Sequence, residues 1–178
     1  MIFRPLPTKR EKDFLALLNP NLDPDMLSEE NGGRLFFGNR DYLPATVKSI
    51  HALLKHYQIP LEGKKAVVLG RSVSLGLPCF LRLSKENRTV TQIHSHTNEN
   101  IREERIKSAD LIVLASGKTG LVHPSWVNKN QTIIDCGFAK GGELGFIPDV
   151  YAYTPVPGGI GALTPYYLVL NARQEYRK

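Results

Sequence analysis

Lys65-Ala66-Val67-Val68-Leu69-Gly70-Arg71-Ser72-Val73-Ser74-Leu75-Gly76-Leu77-Pro78 is the stretch that sets the architecture of this chain. A short apolar run closed by glycine, 65–70, has the pattern of a parallel strand buried on both faces. Proline is tolerated in a first helical turn, so Pro78 fits a helix from about 77 to 85. Between them, Gly70 permits a sharp exit and Gly76 close packing, which turns the helix N-terminus toward an anion such as a phosphate. The spacing is not Gly-x-Gly-x-x-Gly, and an ordinary strand-to-helix turn also favours glycine and serine.

The same rhythm continues on both sides. Arg88–Ile93, Asp110–Ala115 and Gln131–Asp135 read as further strands, the last preceded by a packed Trp126-Val127. Thr97 is placed to cap an amphipathic helix running through Ile101, Ile106 and Lys107, and a final helix covers about Pro165 to Glu175. Upstream, Val47, Ile50, Leu53, Leu54 and Tyr57 mark a helix over about 46–57. Thr8-Lys9-Arg10-Glu11 is a capping-box pattern ahead of Phe14, Leu15, Leu17 and Leu18. The Asn-, Asp-, Pro- and Gly-rich span 19–42 reads as a long irregular connection. Strands alternating with helices predict an α/β fold, a Rossmann-like doubly wound parallel sheet flanked by helices.

At 178 residues the chain can bury one good core and a small second lobe. Its 42% hydrophobic and 22% charged residues are ordinary for a globular protein. Nothing approaches the ~18 consecutive apolar residues of a membrane span, and Met1–Pro7 lacks a signal-peptide core. The two cysteines, Cys79 and Cys136, sit in apolar contexts that do not suggest a disulfide framework, so a cytoplasmic, membrane-free protein is expected. The formal net charge of +6 comes from scattered basic residues with no interleaved aromatic platform. That argues against nucleic acid and suits a phosphorylated small ligand.

In a doubly wound sheet the ligand lies at the carboxyl ends of the strands. After the second strand stands His94-Ser95-His96-Thr97, without the acid that binds a ribose 2′-hydroxyl. With Arg71 and Ser95 near, a 2′-phosphate is better accommodated, which predicts NADP over NAD. No carboxylate or cysteine lies at ligand spacing from the two histidines, so no metal site is assigned. Asp135-Cys136-Gly137-Phe138 follows the fourth strand. Cys136 has no cationic neighbour in sequence to lower its pKa, and is read as lining the nicotinamide end rather than as a nucleophile. Pro155-Val156-Pro157-Gly158-Gly159-Ile160-Gly161 carries too little side chain for a core element and forms a rigid, backbone-exposing loop before Thr164-Pro165.

Taken together these segments resemble the NAD(P)-binding domain of the bifunctional methylenetetrahydrofolate dehydrogenase/methenyltetrahydrofolate cyclohydrolase family. The markers run from Arg4-Pro5-Leu6-Pro7 through Gly33-Arg34-Leu35, Pro44-Ala45-Thr46, Gly70-Arg71-Ser72 with Gly76, and His94-Ser95-x-Thr97. They continue through Gly117-Lys118, Ile134-Asp135-Cys136-Gly137, Asp149-Val150 and the Pro155–Gly161 loop with Thr164. The resemblance implies that Arg71, Ser72 and Ser95 hold the ribose and 2′-phosphate of NADP. It further implies that Thr46, Cys136, Phe138 and Thr164 line the nicotinamide site, that Asp25 contacts the pterin of a folate substrate, and that Pro157, Gly158 and Gly159 close over it. The implied reaction is hydride transfer from 5,10-methylenetetrahydrofolate to NADP+.

There are departures. The family's Tyr-x-x-x-Lys, whose lysine serves the cyclohydrolase step, occurs nowhere in the chain, and no catalytic residue is assigned. Phe3 replaces a glutamine, Met26 a glycine, and Pro44-Ala45-Thr46-Val47 a Pro-Cys-Thr-Pro. The expected division is 1–43, a remnant of the N-terminal catalytic lobe; 44–163, the NAD(P)-binding domain; and 164–178, a helix returning toward that lobe. Without the lobe, Phe14, Leu15 and Leu18, and Tyr167, Leu168 and Leu170, would lose their cover, which predicts a homodimer or a separate catalytic-lobe partner. The alternative to a folate dehydrogenase is a non-catalytic NADP-binding paralogue or half-enzyme.

Overall fold

The computed structural model describes residues 10–38, 43–60 and 62–175. Arg4–Pro7, Phe3 and Thr8 lie outside them. Five strands, β1 (Lys65–Leu69), β2 (Thr89–Ile93), β3 (Leu111–Leu114), β4 (Thr132–Asp135) and β5 (Ala152–Tyr153), form one sheet in the order β2-β1-β3-β4-β5. Every pairing is parallel, with Leu69 opposite both Ile93 and Leu114. The helices are α1 (Glu11–Ala16), α2 (Glu29–Phe36), α3 (Ala45–His56), α4 (Gly76–Ser84), α5 (Glu99–Lys107) and α6 (Ile160–Glu175).

The alternation of each strand explains the two layers. Ala66, Val68, Leu111, Val113 and Ile134 face one side, against Val47, Ile50 and Leu54 of α3, Cys79 and Leu83 of α4, and Ile160 of α6. Val67, Leu69, Ile112, Leu114 and Ile133 face the other, against Ile106 of α5, Val122, Trp126 and Leu144. Because both faces are covered, the central strands are apolar throughout, as the sequence predicts.

Four local readings are corrected. The span 19–42 contains α2, which Gly32 and Gly33 disguise. Ser28 caps it by accepting from the Asn31 amide (3.3 Å), Glu29 and Glu30 occupy its first turn and Arg34 its last. Those favourable ends outweigh about 1 kcal/mol per glycine. Asn98, not Thr97, caps α5, while the Thr97 hydroxyl accepts from the His94 amide (3.0 Å). Helix α6 begins at Ile160, so Pro165 lies inside it; the carbonyl that Pro165 leaves unpaired belongs to Gly161, which is exposed to water. Helix α1 starts after Arg10 without a side-chain cap. Strand β5, two residues long, is too short to show a period.

The exposed apolar stripes also differ from expectation. Leu15, Leu18, Tyr167, Leu168 and Leu170 are half-buried, whereas Phe14, Leu17, Tyr166 and Val169 are exposed. Among the described residues no helix is long and apolar enough to cross a membrane.

An ion network fastens α3 and α4 to the start of β2. Glu86 pairs with Arg82, Arg88 and His51, the last at 3.1 Å. Burial alone would raise the Glu86 carboxyl, but hydrogen bonds from His51 and Arg88 and the charges of His51 and Arg82 outweigh it. The pKa falls from 4.5 to about 2.

Two outcomes follow. Leu69→Ala, at a site with no solvent exposure, is expected to lower the unfolding free energy by about 2–5 kcal/mol in urea titrations. Since the folded pKa of Glu86 is depressed, its stabilisation is present above pH 4.5 and lost as pH falls toward 2. The stability gap between wild type and Glu86→Gln should therefore close over that window, and a constant gap would contradict the network.

Candidate functional site

Parallel strands deliver their exit loops to one rim, and the order β2-β1-β3 places the switch point between the ends of β1 and β3. The bonding continues one step beyond each strand. Gly70 N donates to Ile93 O (2.8 Å), Ala115 N to Leu69 O (2.8 Å) and Cys136 N to Leu114 O (3.1 Å). Residues 70–72, 94–95, 115–118 and 136–138 thus leave the sheet side by side.

At the switch point the backbone is packed against backbone. Gly70 has φ +139°, and a Cβ there would collide with the Ala115 carbonyl; one on Gly76 would lie 2.7 Å from Arg71 N. The first turn of α4 is therefore drawn over the end of β1. Ser72 accepts from the amides of Gly76 (Oγ, 3.3 Å) and Leu77 (O, 3.0 Å). Among the described residues, the amides of Ser72, Val73 and Ser74 donate to no protein acceptor. Arg71 and Ser72 are exposed beside them. Such a cluster of amides at a helix start favours an anion.

On the next strand end, His94 Nδ1 accepts from the His96 amide (3.2 Å), which makes this histidine a turn former and leaves Ser95 half-buried between the two. Among the described residues, no group of three or more His, Cys, Asp or Glu is arranged as a metal site.

Two buried carboxylates that the sequence reading missed hold the other exits. Asp135 accepts from the amides of Gly137 (2.8 Å), Glu143 (3.0 Å) and Leu144 (2.9 Å). Glu143 in turn accepts from Ser116 N (2.8 Å), Ser116 Oγ (2.6 Å) and Gly117 N (2.9 Å). Cys136 lies beside this pair. Burial pushes its thiol well above the ordinary range, and Cys79, Glu143 and Asp135 add to the effect; burial likewise pushes Cys79 to about 12, against the opposing charge of Arg88. Both thiols stay protonated, which excludes a resting thiolate.

The remaining candidates are spread around the rim. Asp25 Oδ1 accepts from the Ala45 amide (3.0 Å), so this carboxylate caps α3 one residue from half-buried Thr46. Thr164 donates to Ile160 O within its own helix (3.1 Å). Gly158 is exposed at φ +101°, next to exposed Pro157, and a Cβ on Gly159 would lie 2.5 Å from Pro155 O. Phe138 is wholly exposed. A concavity of about 760 Å³ runs along the β4–β5 edge between Leu53, Tyr57, Ile134, Tyr153 and Gly159. It reaches the strand-end rim through Thr154, Pro155, Gly158 and Gly159.

Comparison with known proteins gives a consistent answer. The sequence model of the tetrahydrofolate dehydrogenase/cyclohydrolase NAD(P)-binding domain matches residues 44–178. A bifunctional protein FolD of Clostridium perfringens is 38% identical, covering 98% of this chain and 66% of its own length. That of Clostridium beijerinckii is 40% identical, covering 94% and 62%. Among solved structures, the Trypanosoma brucei methylenetetrahydrofolate dehydrogenase-cyclohydrolase complexed with NADP and an inhibitor superposes with a TM-score of 0.89 at 30% identity. It covers 97% of this chain and 64% of that one. Campylobacter jejuni FolD gives 0.88 at 30% identity, with the same coverage. The chain thus spans 62–66% of the length of these four proteins.

Iodoacetamide should leave Cys79 and Cys136 unmodified in the native chain at neutral pH and label both in urea. Mass spectrometry reads this directly, and rapid native labelling of Cys136 would contradict the buried, protonated thiol.

Proposed function

The chain belongs to the tetrahydrofolate dehydrogenase/cyclohydrolase family, and from that premise we propose that it binds NADP+ along the strand-end rim and serves hydride transfer from 5,10-methylenetetrahydrofolate. The observation that carries the proposal is the cradle at the end of β1. Gly70 and Gly76 leave no room for a Cβ, and the unclaimed amides of Ser72–Ser74 open at the start of α4 beside Arg71. A pyrophosphate fits that cradle.

In this reading Arg71, Ser72 and Ser95 take the ribose and 2′-phosphate. The absence of an acid in His94–Thr97 removes what would repel that phosphate and favour NAD. Thr46, Cys136, Phe138 and Thr164 line the nicotinamide end, and Phe138, wholly exposed here, would turn inward onto the ring. Asp25 meets the pterin, and Pro157, Gly158 and Gly159 form the loop over the folate.

NADP+ supplies the hydride acceptor. The chain's own part is to hold two ligands in register, the contribution that hydride transfer chiefly needs. The buried, protonated Cys136 lines that end without adding charge near the ring. The hydrolytic step is not proposed, because none of the 178 residues belongs to a Tyr-x-x-x-Lys motif and that step needs a proton-handling group.

Residues 1–43 are assigned to the end of a catalytic lobe, 44–163 to the cofactor domain and 164–178 to the returning helix. The exposed Phe14, Leu17, Tyr166 and Val169 support a working assembly in which a second copy or a separate lobe covers them. Light scattering across micromolar concentrations should show self-association, and a sharp monomer would remove the homodimer.

Titration with NADP+ and NAD+, with and without methylenetetrahydrofolate, tests the whole reading. NADP+ is expected to bind at least ~10-fold tighter than NAD+, the worth of one charge-assisted contact, and absorbance of reduced cofactor should grow only when the folate is added. NADP+ binding without reduction would leave a cofactor-binding module and end the dehydrogenase proposal. Binding of neither cofactor would end both.

A further inference from the structure

Asn171 is one of the most buried polar residues of the chain, 1% exposed, although it stands on a helix whose neighbouring residues are half-exposed. Its side chain is fully committed, and to partners far away in sequence. Nδ2 donates to Pro24 O (2.7 Å) and to Leu43 O (3.0 Å), and Oδ1 accepts from Lys48 Nζ (2.5 Å). An ammonium can only donate, so Lys48 fixes the flip of the amide and directs both N–H groups at the two carbonyls. One carbonyl opens the turn that carries Asp25; the other stands two residues before α3, whose first amide Asp25 caps.

That turn is tense on its own. Met26 adopts φ 56°, a left-handed conformation that costs a residue with a Cβ roughly 1–2 kcal/mol. Asp23 holds the far side of the turn through Leu27 N (2.9 Å), Ser28 N (2.8 Å) and Asn31 Nδ2 (3.0 Å). The near side, where Asp25 is presented, is tied to the body of the domain by Asn171. Helix α6 begins directly after Gly158-Gly159, and 1.5 Å per residue puts Asn171 on the order of 17 Å along it from Ile160. The helix is therefore a rod with the folate-side loop at one end and the clamp on the Asp25 turn at the other.

We propose that Lys48 and Asn171 are positioning residues for the folate side of the cleft, setting Asp25 at a fixed reach from the Gly158-Gly159 loop. This rests on the assignment of Asp25 and that loop to the folate. Neither residue is placed on the ligand itself, and the cofactor cradle at Gly70–Gly76 lies at the end of a different strand.

The test uses the full chain with Asn171→Asp, which keeps the shape and the Lys48 contact but loses the amide donors. Lys48→Met loses the orienting cation, and Lys48→Arg is the conservative variant. Calorimetry reads tetrahydrofolate and NADP+ separately, and amide exchange reads segments 24–28 and 45–48 against β1–β4. Asn171→Asp and Lys48→Met are expected to weaken tetrahydrofolate about 10-fold or more, the scale of one buried hydrogen bond, with NADP+ unchanged within about twofold. Lys48→Arg should restore most of the loss. Equal weakening of both ligands, or of neither, would overturn the proposal. If wild type binds no tetrahydrofolate, the folate assignment itself fails, and exchange decides the clamp. Faster exchange confined to 24–28 and 45–48 upholds it, and uniform or unchanged exchange overturns it.

Discussion

The rim of this domain depends on two strand ends meeting through backbone alone. Gly70 leaves β1 beneath the Ala115 carbonyl with no space for a side chain, and Gly76 brings α4 back over the Gly70–Arg71 peptide. The sheet order puts the crossover of the chain between β1 and β3, so topology opens a crevice at the point where the two glycines bring the walls together. A side chain at either position would push α4 or the β3 exit outward and spread the amides of 72–74. Helix position, strand spacing and the open amides of 72–74 are in that sense one constraint.

Away from the glycines, the irregular exits are held by polar groups and not by apolar packing. A buried carboxylate is tolerable only when its oxygens are saturated with donors, which makes it a strict ruler for the backbone around it. Asp135 gathers three amides of 137–144, and Glu143, placed by that gathering, collects Ser116 and Gly117. The loops after β3 and β4 are thus specified in series. Asp23 with Asn31 does the same for the turn of 23–28. Three joints of one kind serve loops too rich in glycine, proline and charge to build an apolar core of their own.

This division also separates what the sequence makes visible from what it hides. Strand β1 and its glycines are legible because each choice is local: an apolar run for two buried faces, a glycine where the chain turns. The missing acid at 94–97 is legible for the same reason. Asn171 is not, because its burial comes from carbonyls 147 and 128 residues away, and locally it is one polar position in a largely apolar helix. Glu143 reads as one charge in a glycine-rich loop until Ser116, 27 residues back, is beside it. Helix α2 hides behind Gly32-Gly33, since propensity sees the two glycines and not the cap of Ser28. Met26 departs from the glycine that its left-handed φ favours, and it stays there because its side chain is 6% exposed and the turn is held from both sides.

The placement of the acids gives the scattered basic charge a use. The chain carries 23 Lys and Arg against 17 Asp and Glu, and no dense basic stripe. At the rim, Asp135 and Glu143 are turned inward onto amides, and Asp25 accepts from the amide at the start of α3. A carboxylate saturated by backbone N–H groups projects little negative potential into the crevice, because the donors' positive ends lie between it and solvent. What an approaching ligand meets there is Arg71, the open amides of 72–74 and the start of α4, all of one sign. The excess of six positive charges adds a diffuse attraction for anions, and the local amides concentrate that attraction at the start of α4. The potential at this rim is set as much by where the negative groups are buried as by where the positive ones are shown.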